Sequence, residues 1–179
     1  GLIGPNGSGK STTINLITGL YAPTNGTVLL DGQDLTSMAQ HDRTALGVAR
    51  TFQNIRLFGN LSVAENIWVA QNGQEQRRQH FMSRWFKAGG KQDQNIDELL
   101  QFSRLYSKKD LMASALSFGE MRRLEMARAL ASNPRVLLLD EPAAGASLED
   151  GALLGERIRA VRERGVTVLL IEHMMELVM

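Results

Sequence analysis

Eight consecutive residues near the start of the chain, Gly4-Pro5-Asn6-Gly7-Ser8-Gly9-Lys10-Ser11, fill every fixed position of the pattern G-x-x-x-x-G-K-[ST]. Glycines let such a loop turn back on itself, so that its N–H groups point inward at phosphate oxygens. A helix that starts there adds its N-terminal dipole to the same anion. Lys10 is then placed to put its ammonium on the β- and γ-phosphates, and Ser11 to offer its hydroxyl to Mg2+. Thr12, the next residue, joins them as a candidate nucleotide contact. Taken alone, a glycine-rich turn before a helix is the plainer alternative.

A second constellation lies far downstream. Val136-Leu137-Leu138-Leu139 is an apolar run of the kind that makes a strand buried on both faces, and it ends in Asp140-Glu141. Ligands of open α/β sheets bind at the carboxyl ends of strands. Asp140 is read as the Mg2+ holder, through water or directly. Glu141 is read as the base that orients and deprotonates an attacking water. Without the phosphate loop upstream, the two acids before Pro142 would read as solvated turn residues.

These groups need elements to position them. Ile14, Ile17 and Leu20 fall three apart and predict a helix over 11–20, punctuated by Gly19 and Pro23. Thr27–Leu30 is a short β-rich run closed by the Asp31-Gly32 turn signal, and Val48–Phe52 is a second, weaker strand. Residues 61–116 are rich in Gln, Arg, Lys and Ser and carry helical patterning, so they read as a helical insertion. Within it, Phe81 with Trp85 and Met82 with Phe86 lie four apart, and Ile96, Leu99 and Leu100 suggest an amphipathic helix. The Trp85-Phe86 pair reads as packing of that insertion in preference to a docking surface. Ser117 and Glu120 match the S-x-x-E capping box, with Met121, Leu124, Ala127 and Leu130 on one face of the helix that follows. Asn133-Pro134 stops it. Leu154, Ile158 and Val161 mark another helix, capped by Ser147 and ended at Gly165. Val166–Ile171 is a second buried strand. Strand, helix, strand with short connections implies a parallel sheet with a right-handed crossover.

Composition narrows the field. The chain has 179 residues, 43% apolar and 22% charged, so a packed domain is expected and intrinsic disorder is not. A net charge of +1 offers no excess for nucleic acid or an anionic surface. With no cysteine, disulfides, thiolate metal sites and thiol catalysis are excluded. His41, His80 and His173 show no zinc spacing. The run Val166–Ile171 is too short to cross a bilayer, and no signal-peptide pattern is read. The default expectation is the cytoplasm, free or held at a membrane by partners. Only Gly1–Ile3 precede the phosphate loop, where a whole strand is expected, and the chain stops at Met179 without a turn or cap. It is therefore expected to be a fragment truncated at both ends.

With the phosphate loop and the acidic strand end in place, the chain resembles the ATP-binding cassette family, the motor subunits of ABC transporters. Gln53, in Thr51-Phe52-Gln53-Asn54, matches the family's Q-loop. Leu116-Ser117-Phe118-Gly119-Glu120 is similar to the LSGGQ signature, and His173 matches the switch histidine. The five motifs occur in the family's order across essentially the whole chain. The resemblance implies an α/β fold, a P-loop NTPase (RecA-like) parallel-sheet core with an inserted helical subdomain. The division implied is 1–60 as the first part of the core, 61–116 as the helical subdomain, and 117–179 as the signature helix and second part of the core.

The resemblance also assigns roles. Lys10, Gln53, Glu141 and His173 would be the catalytic residues. Ser11, Gln53 and Asp140 would hold Mg2+. The nucleotide would be bound by Gly4, Pro5, Asn6, Gly7, Ser8, Gly9, Lys10, Ser11 and Thr12. Ser117, Gly119 and Glu120 would contact ATP held by a second subunit, in a head-to-tail dimer of like or unlike chains. A capped helix start is suited to an anion in this way.

A narrower likeness is to branched-chain amino acid importers. It rests on the Q-loop region from Ala49 to Phe58, on Leu61–Ile67, on Arg122–Leu130 and on Glu141-Pro142-Ala143-Ala144-Gly145. Such a system implies ATP and Mg2+ as cofactors, integral membrane permease subunits as partners, and a periplasmic solute-binding protein acting indirectly. No nucleic acid is expected. The implied place is the cytoplasmic face of the inner membrane of a bacterial-type cell, as a peripheral subunit, and related amino acids or amides are alternative solutes. Several positions depart from the pattern. Phe118 replaces a signature glycine, Glu120 a signature Gln, and Met174 the acid that often follows the histidine. Ala146-Ser147 stands where the family has Leu followed by Asp or Asn. The aromatic that stacks on adenine would lie before Gly1. Two other readings are a soluble cassette ATPase of translation or DNA maintenance and a non-hydrolysing nucleotide-binding module. The stretch between Gln53 and Ser117 has no sustained heptads for a coiled-coil arm, and the intact Lys10, Asp140, Glu141 and His173 speak against a silent module.

Overall fold

A computed structural model describes residues 1–5, 7–51, 55–72, 91–143 and 148–172, with the side chains of 91–94 and 148–150 also left out of the description. Asn6, Gln53, Ala146-Ser147, His173 and the Phe81–Phe86 aromatic group lie outside the described residues. In chain order the elements are α1 (Lys10–Thr18), β1 (Leu29–Leu30), β2 (Gln33–Asp34), α2 (Gln40–Ala45), β3 (Val48–Arg50) and α3 (Val63–Asn72). Then come α4 (Lys91–Phe102), α5 (Phe118–Ala131), β4 (Val136–Asp140), α6 (Leu148–Glu163) and β5 (Thr167–Ile171). They form two compact units, Gly1–Gln53 with Pro134–Met179, and Asn54–Asn133.

The first unit is built on a parallel sheet in the order β3-β4-β5. Leu2 extends it by a parallel bridge to Ile171, its N–H donating to the Leu170 carbonyl at 2.8 Å. The few residues before the phosphate loop thus run along the sheet, as a strand feeding that loop must. Leu137, Leu138 and Leu139 of β4 are wholly buried, which is why the run carries no polar alternation. Ile14 of α1, Leu35, Val48, Leu138 and Ile171 close one core layer. Helix α1 ends where Gly19 takes a left-handed φ of 80° and returns its N–H to the last turn. Asp31 and Gly32 both have positive φ, 47° and 82°, the backbone that a two-residue hairpin requires, and they join β1 to β2. Strand β3 stops at Arg50, short of the expected Phe52.

The second unit is helical. Val63 and Ile67 of α3, Ile96, Leu99 and Leu100 of α4, and Leu124, Ala127 and Ala131 of α5 make a single buried cluster. This is the physical reason that Ser117–Asn133 falls in the helical unit, although the sequence reading grouped it with the core. The unit boundaries lie at 53/54 and 133/134. Asn66, fully buried, donates to the carbonyls of Phe58 and Ser62 and accepts from the Phe58 N–H, so the turn before α3 is pinned to that helix. No described helix is long and apolar enough to cross a membrane.

Candidate nucleotide site

The phosphate loop is shaped by its glycines. Gly7 and Gly9 sit at φ of 84° and 88°, a region that side-chain-bearing residues avoid. A Cβ on Gly4 would lie 2.6 Å from the Ser8 hydroxyl, so the loop closes tightly around its own backbone. Gly9 caps α1, and Ser11 and Thr12 are exposed in the helix's first turn. Lys10 is buried, with its ammonium 2.6 Å from the Gly4 carbonyl and 2.9 Å from that of Pro5. In this state the charge rests on the loop's own acceptors. A phosphate entering the loop would offer the ammonium stronger, charged acceptors in their place.

The acidic strand end is held from the same unit. Asp140 is buried, and its Oδ2 accepts from the Arg50 guanidinium at 2.8 Å. The other terminal nitrogen of Arg50 reaches Asn15 Oδ1 of α1 at 2.7 Å. Thus the phosphate-loop helix, β3 and the end of β4 meet at one guanidinium. Glu141 follows with a φ of 48°, a left-handed backbone unusual for a residue with a side chain, and its N–H donates to the Ile171 carbonyl. Strain of this kind gathers where a side chain is aimed for function. Beyond it the Ala143 N–H donates to the buried carboxylate of Glu172 at 2.8 Å, which ties the turn after β4 to the residue after β5.

The sequence reading missed Arg50, Asn15 and Glu172. A charge at the end of the otherwise apolar β3 run was a readable signal for Arg50, and an acid ending the β5 run was one for Glu172. Nothing local marks Asn15.

Ser117, Gly119 and Glu120 belong to the second unit. Ser117 caps α5, accepting from the Glu120 N–H, while Glu120 Oε2 accepts from the Ser117 N–H and hydroxyl at 3.0 Å each. Its Oε1 lies 2.7 Å from the Lys108 ammonium. The Lys108 hydrogen bond, followed by the Ser117 backbone, holds the carboxyl at about 2. Glu120, read from sequence as a nucleotide contact, therefore has both oxygens engaged in the cap and an ion pair. Phe118 is 55% exposed beside it, with the Arg122 guanidinium over its ring.

A glycine loop feeding a helix, beside a parallel strand that ends in buried acid, defines a nucleotide-binding α/β core. Comparison with known proteins gives its kind. The model of the ABC transporter family matches residues 1–144. The chain belongs to that family. It is 40% identical over 185 residues to the high-affinity branched-chain amino acid transport ATP-binding protein BraF of Pseudomonas aeruginosa, a match covering 99% of this chain and 72% of that protein. Among solved structures it is similar to the ADP conformation of an ATP-binding cassette of an ABC transporter, at 32% identity and a TM-score of 0.79, covering 98% of this chain and 70% of the other. It is also similar to a dimeric post-hydrolysis cassette bound to ADP and phosphate, at 26% identity and a TM-score of 0.78, covering 97% and 73%.

Proposed function

We propose that the chain binds and hydrolyses ATP as the motor subunit of an importer of branched-chain amino acids, or of related amino acids and amides. The observation that carries the proposal is the pairing of a closed phosphate loop, Lys10 on its own carbonyls, with a buried Asp140 tied to the same helix through Arg50 and Asn15. Likeness to BraF along nearly the whole chain supports the solute class.

The reaction transfers the terminal phosphoryl group to water, which asks for positioning and charge neutralisation more than for covalent chemistry. The loop N–H groups and the α1 dipole hold the phosphates. Lys10 leaves the Gly4 and Pro5 carbonyls and takes the β- and γ-phosphate charge. Glu141, aimed by its left-handed backbone, orients the attacking water and accepts its proton. By family resemblance Gln53 would contact the cation and the attacking water and His173 the γ-phosphate, and Ser117 with Gly119 of a second subunit would close over that phosphate, a pairing that the dimeric relative supports. The donor set suits Mg2+. Ser11 and Asp140 supply hard oxygens, and the described residues contain no cluster of three or more His, Asp or Glu that would form an all-protein cage. Held by Ser11 and Asp140, such an ion would neutralise negative charge that develops on the transferring phosphoryl group. The subunit would sit at the cytoplasmic face of the inner membrane, on permease subunits fed by a periplasmic binding protein.

Uptake of labelled leucine, isoleucine and valine tests the solute. Deleting the gene from its host should abolish it. A plasmid copy should restore it, and a copy carrying Lys10→Ala should not. Normal uptake of all three in the deletion strain would overturn the solute assignment.

A further inference from the structure

Arg50 holds the Asp140 carboxylate through an ion pair sunk in the first unit, with 11% and 8% of the two side chains exposed. A carboxylate so buried requires a counter-charge, because losing one partner of a buried pair strands the other in low dielectric. The register explains the reach. Arg50 stands opposite Leu138, and Asp140 lies two residues further along on the same face of the sheet. The oxygen engaged, Oδ2, belongs to the carboxylate that a divalent cation would also use. The same guanidinium grips Asn15, four residues after Ser11 on α1.

We propose that Arg50 is a positioning residue that occupies Asp140 as counter-ion in the empty site and competes with the divalent cation for it. The strength of this pair then sets how much Mg2+ is needed to bind nucleotide. The inference rests on the assignment of Asp140 as the cation-holding acid. Cation binding requires Oδ2 to be shared or released, and a dication beside the guanidinium repels it. The two occupants are therefore linked, and by reciprocity each weakens the other by the same factor. Because Arg50 also holds α1 through Asn15, a change of its partner is felt by the phosphate-loop helix.

The test is a titration of Mg2+ into the intact protein with a fluorescent ADP analogue, for wild type, Arg50→Met and Arg50→Lys. Thermal unfolding is measured alongside, in EDTA and with saturating Mg-ADP. Arg50→Met should lower the Mg2+ midpoint about fivefold or more, the size of a modest coupling between two sites. It should melt earlier than wild type in EDTA and regain most of the difference in Mg-ADP. Arg50→Lys, which keeps the charge, should restore a midpoint near wild type. A purely structural Arg50 would lower both melting temperatures equally and leave the midpoint unmoved, and that result overturns the inference. If Arg50→Met does not fold, Arg50→Gln takes its place in the same titration: a lowered Mg2+ midpoint supports the inference, and an unmoved one overturns it. Wild-type binding that ignores Mg2+ overturns the role of Asp140 as well. Mg2+-dependent wild-type binding with an unmoved Arg50→Met midpoint overturns the inference alone.

Discussion

Replacing Arg43 with methionine should destabilise the protein by about 3 kcal/mol. The Arg43 side chain is buried, 1% of the residue being exposed, and every acceptor identified for it is a backbone carbonyl. It donates to Leu16 at 2.6 Å and Ile17 at 2.9 Å, carbonyls in the last turn of α1, and to Thr36 at 3.0 Å and Met38 at 3.1 Å. A cation at that end also complements the helix dipole. Each bond from a charged donor is worth about 1.5–3 kcal/mol, but the buried guanidinium has lost its hydration, a cost of several kcal/mol. That same burial pushes its pKa below the ordinary value. Methionine fills the stem's volume, so the net loss is that of the four Arg43 hydrogen bonds, with Leu16 alone keeping a backbone donor, the Gly19 N–H. For a chain of this length the melting temperature should fall by about 6–12 °C, read by far-UV circular dichroism. Lysine at the same position should recover only part, since it cannot offer the planar fork. A fall of less than about 1 kcal/mol on Arg43→Met would refute the reasoning, because it would mean that these carbonyls find other partners at no cost.

Three further outcomes are expected. Gly19→Ala places a Cβ 2.7 Å from Arg43 Nε at a φ of 80°, so it should cost more than about 1 kcal/mol in chemical denaturation, and a neutral result would contradict the packing described. Glu141→Gly should raise stability by about 1 kcal/mol by relieving the left-handed backbone, whereas a less stable variant would show that no strain is stored there. Glu120 is held at about 2 against an ordinary 4.5, so its stabilising pair is fully present above pH 4.5 and is lost as pH falls through about 2. Lys108 is 42% exposed, and screening limits the effect to about 1 kcal/mol. Glu120→Gln should flatten the acid limb of the stability profile by that amount, and an unchanged limb would remove Glu120 from the account.

What could be read from the sequence was local. The Asp31-Gly32 hairpin, the Ser117–Glu120 cap, the buried β4 run and the Ile96-Leu99-Leu100 face each depend on neighbours within a few residues. The pattern of Ser62 with Glu65 is the same capping signal: the Glu65 N–H donates to the Ser62 hydroxyl and the Ser62 N–H to the Glu65 carboxylate. It depends only on residues three apart and is legible in the sequence. The phosphate loop was legible because its chemistry is backbone chemistry, written in glycines. Arg50 on Asp140 joins residues ninety apart, and Arg43 on α1 joins residues more than twenty apart. No periodicity encodes such pairs, since they exist only once the sheet has set its register. The membership of α5 in the helical unit was hidden for the same reason. Its apolar stripe shows that it packs, not against what.

If Glu141 is the base of the proposed ATP-hydrolysing site, its replacement should stop turnover and spare binding. The most direct measurement compares ATP binding and phosphate release by wild type and Glu141→Gln in the same assembly with permease subunits. The variant is expected to bind Mg-ATP as wild type does, to release almost no phosphate and to persist as a nucleotide-bound dimer. Phosphate release from Glu141→Gln at the wild-type rate would contradict it.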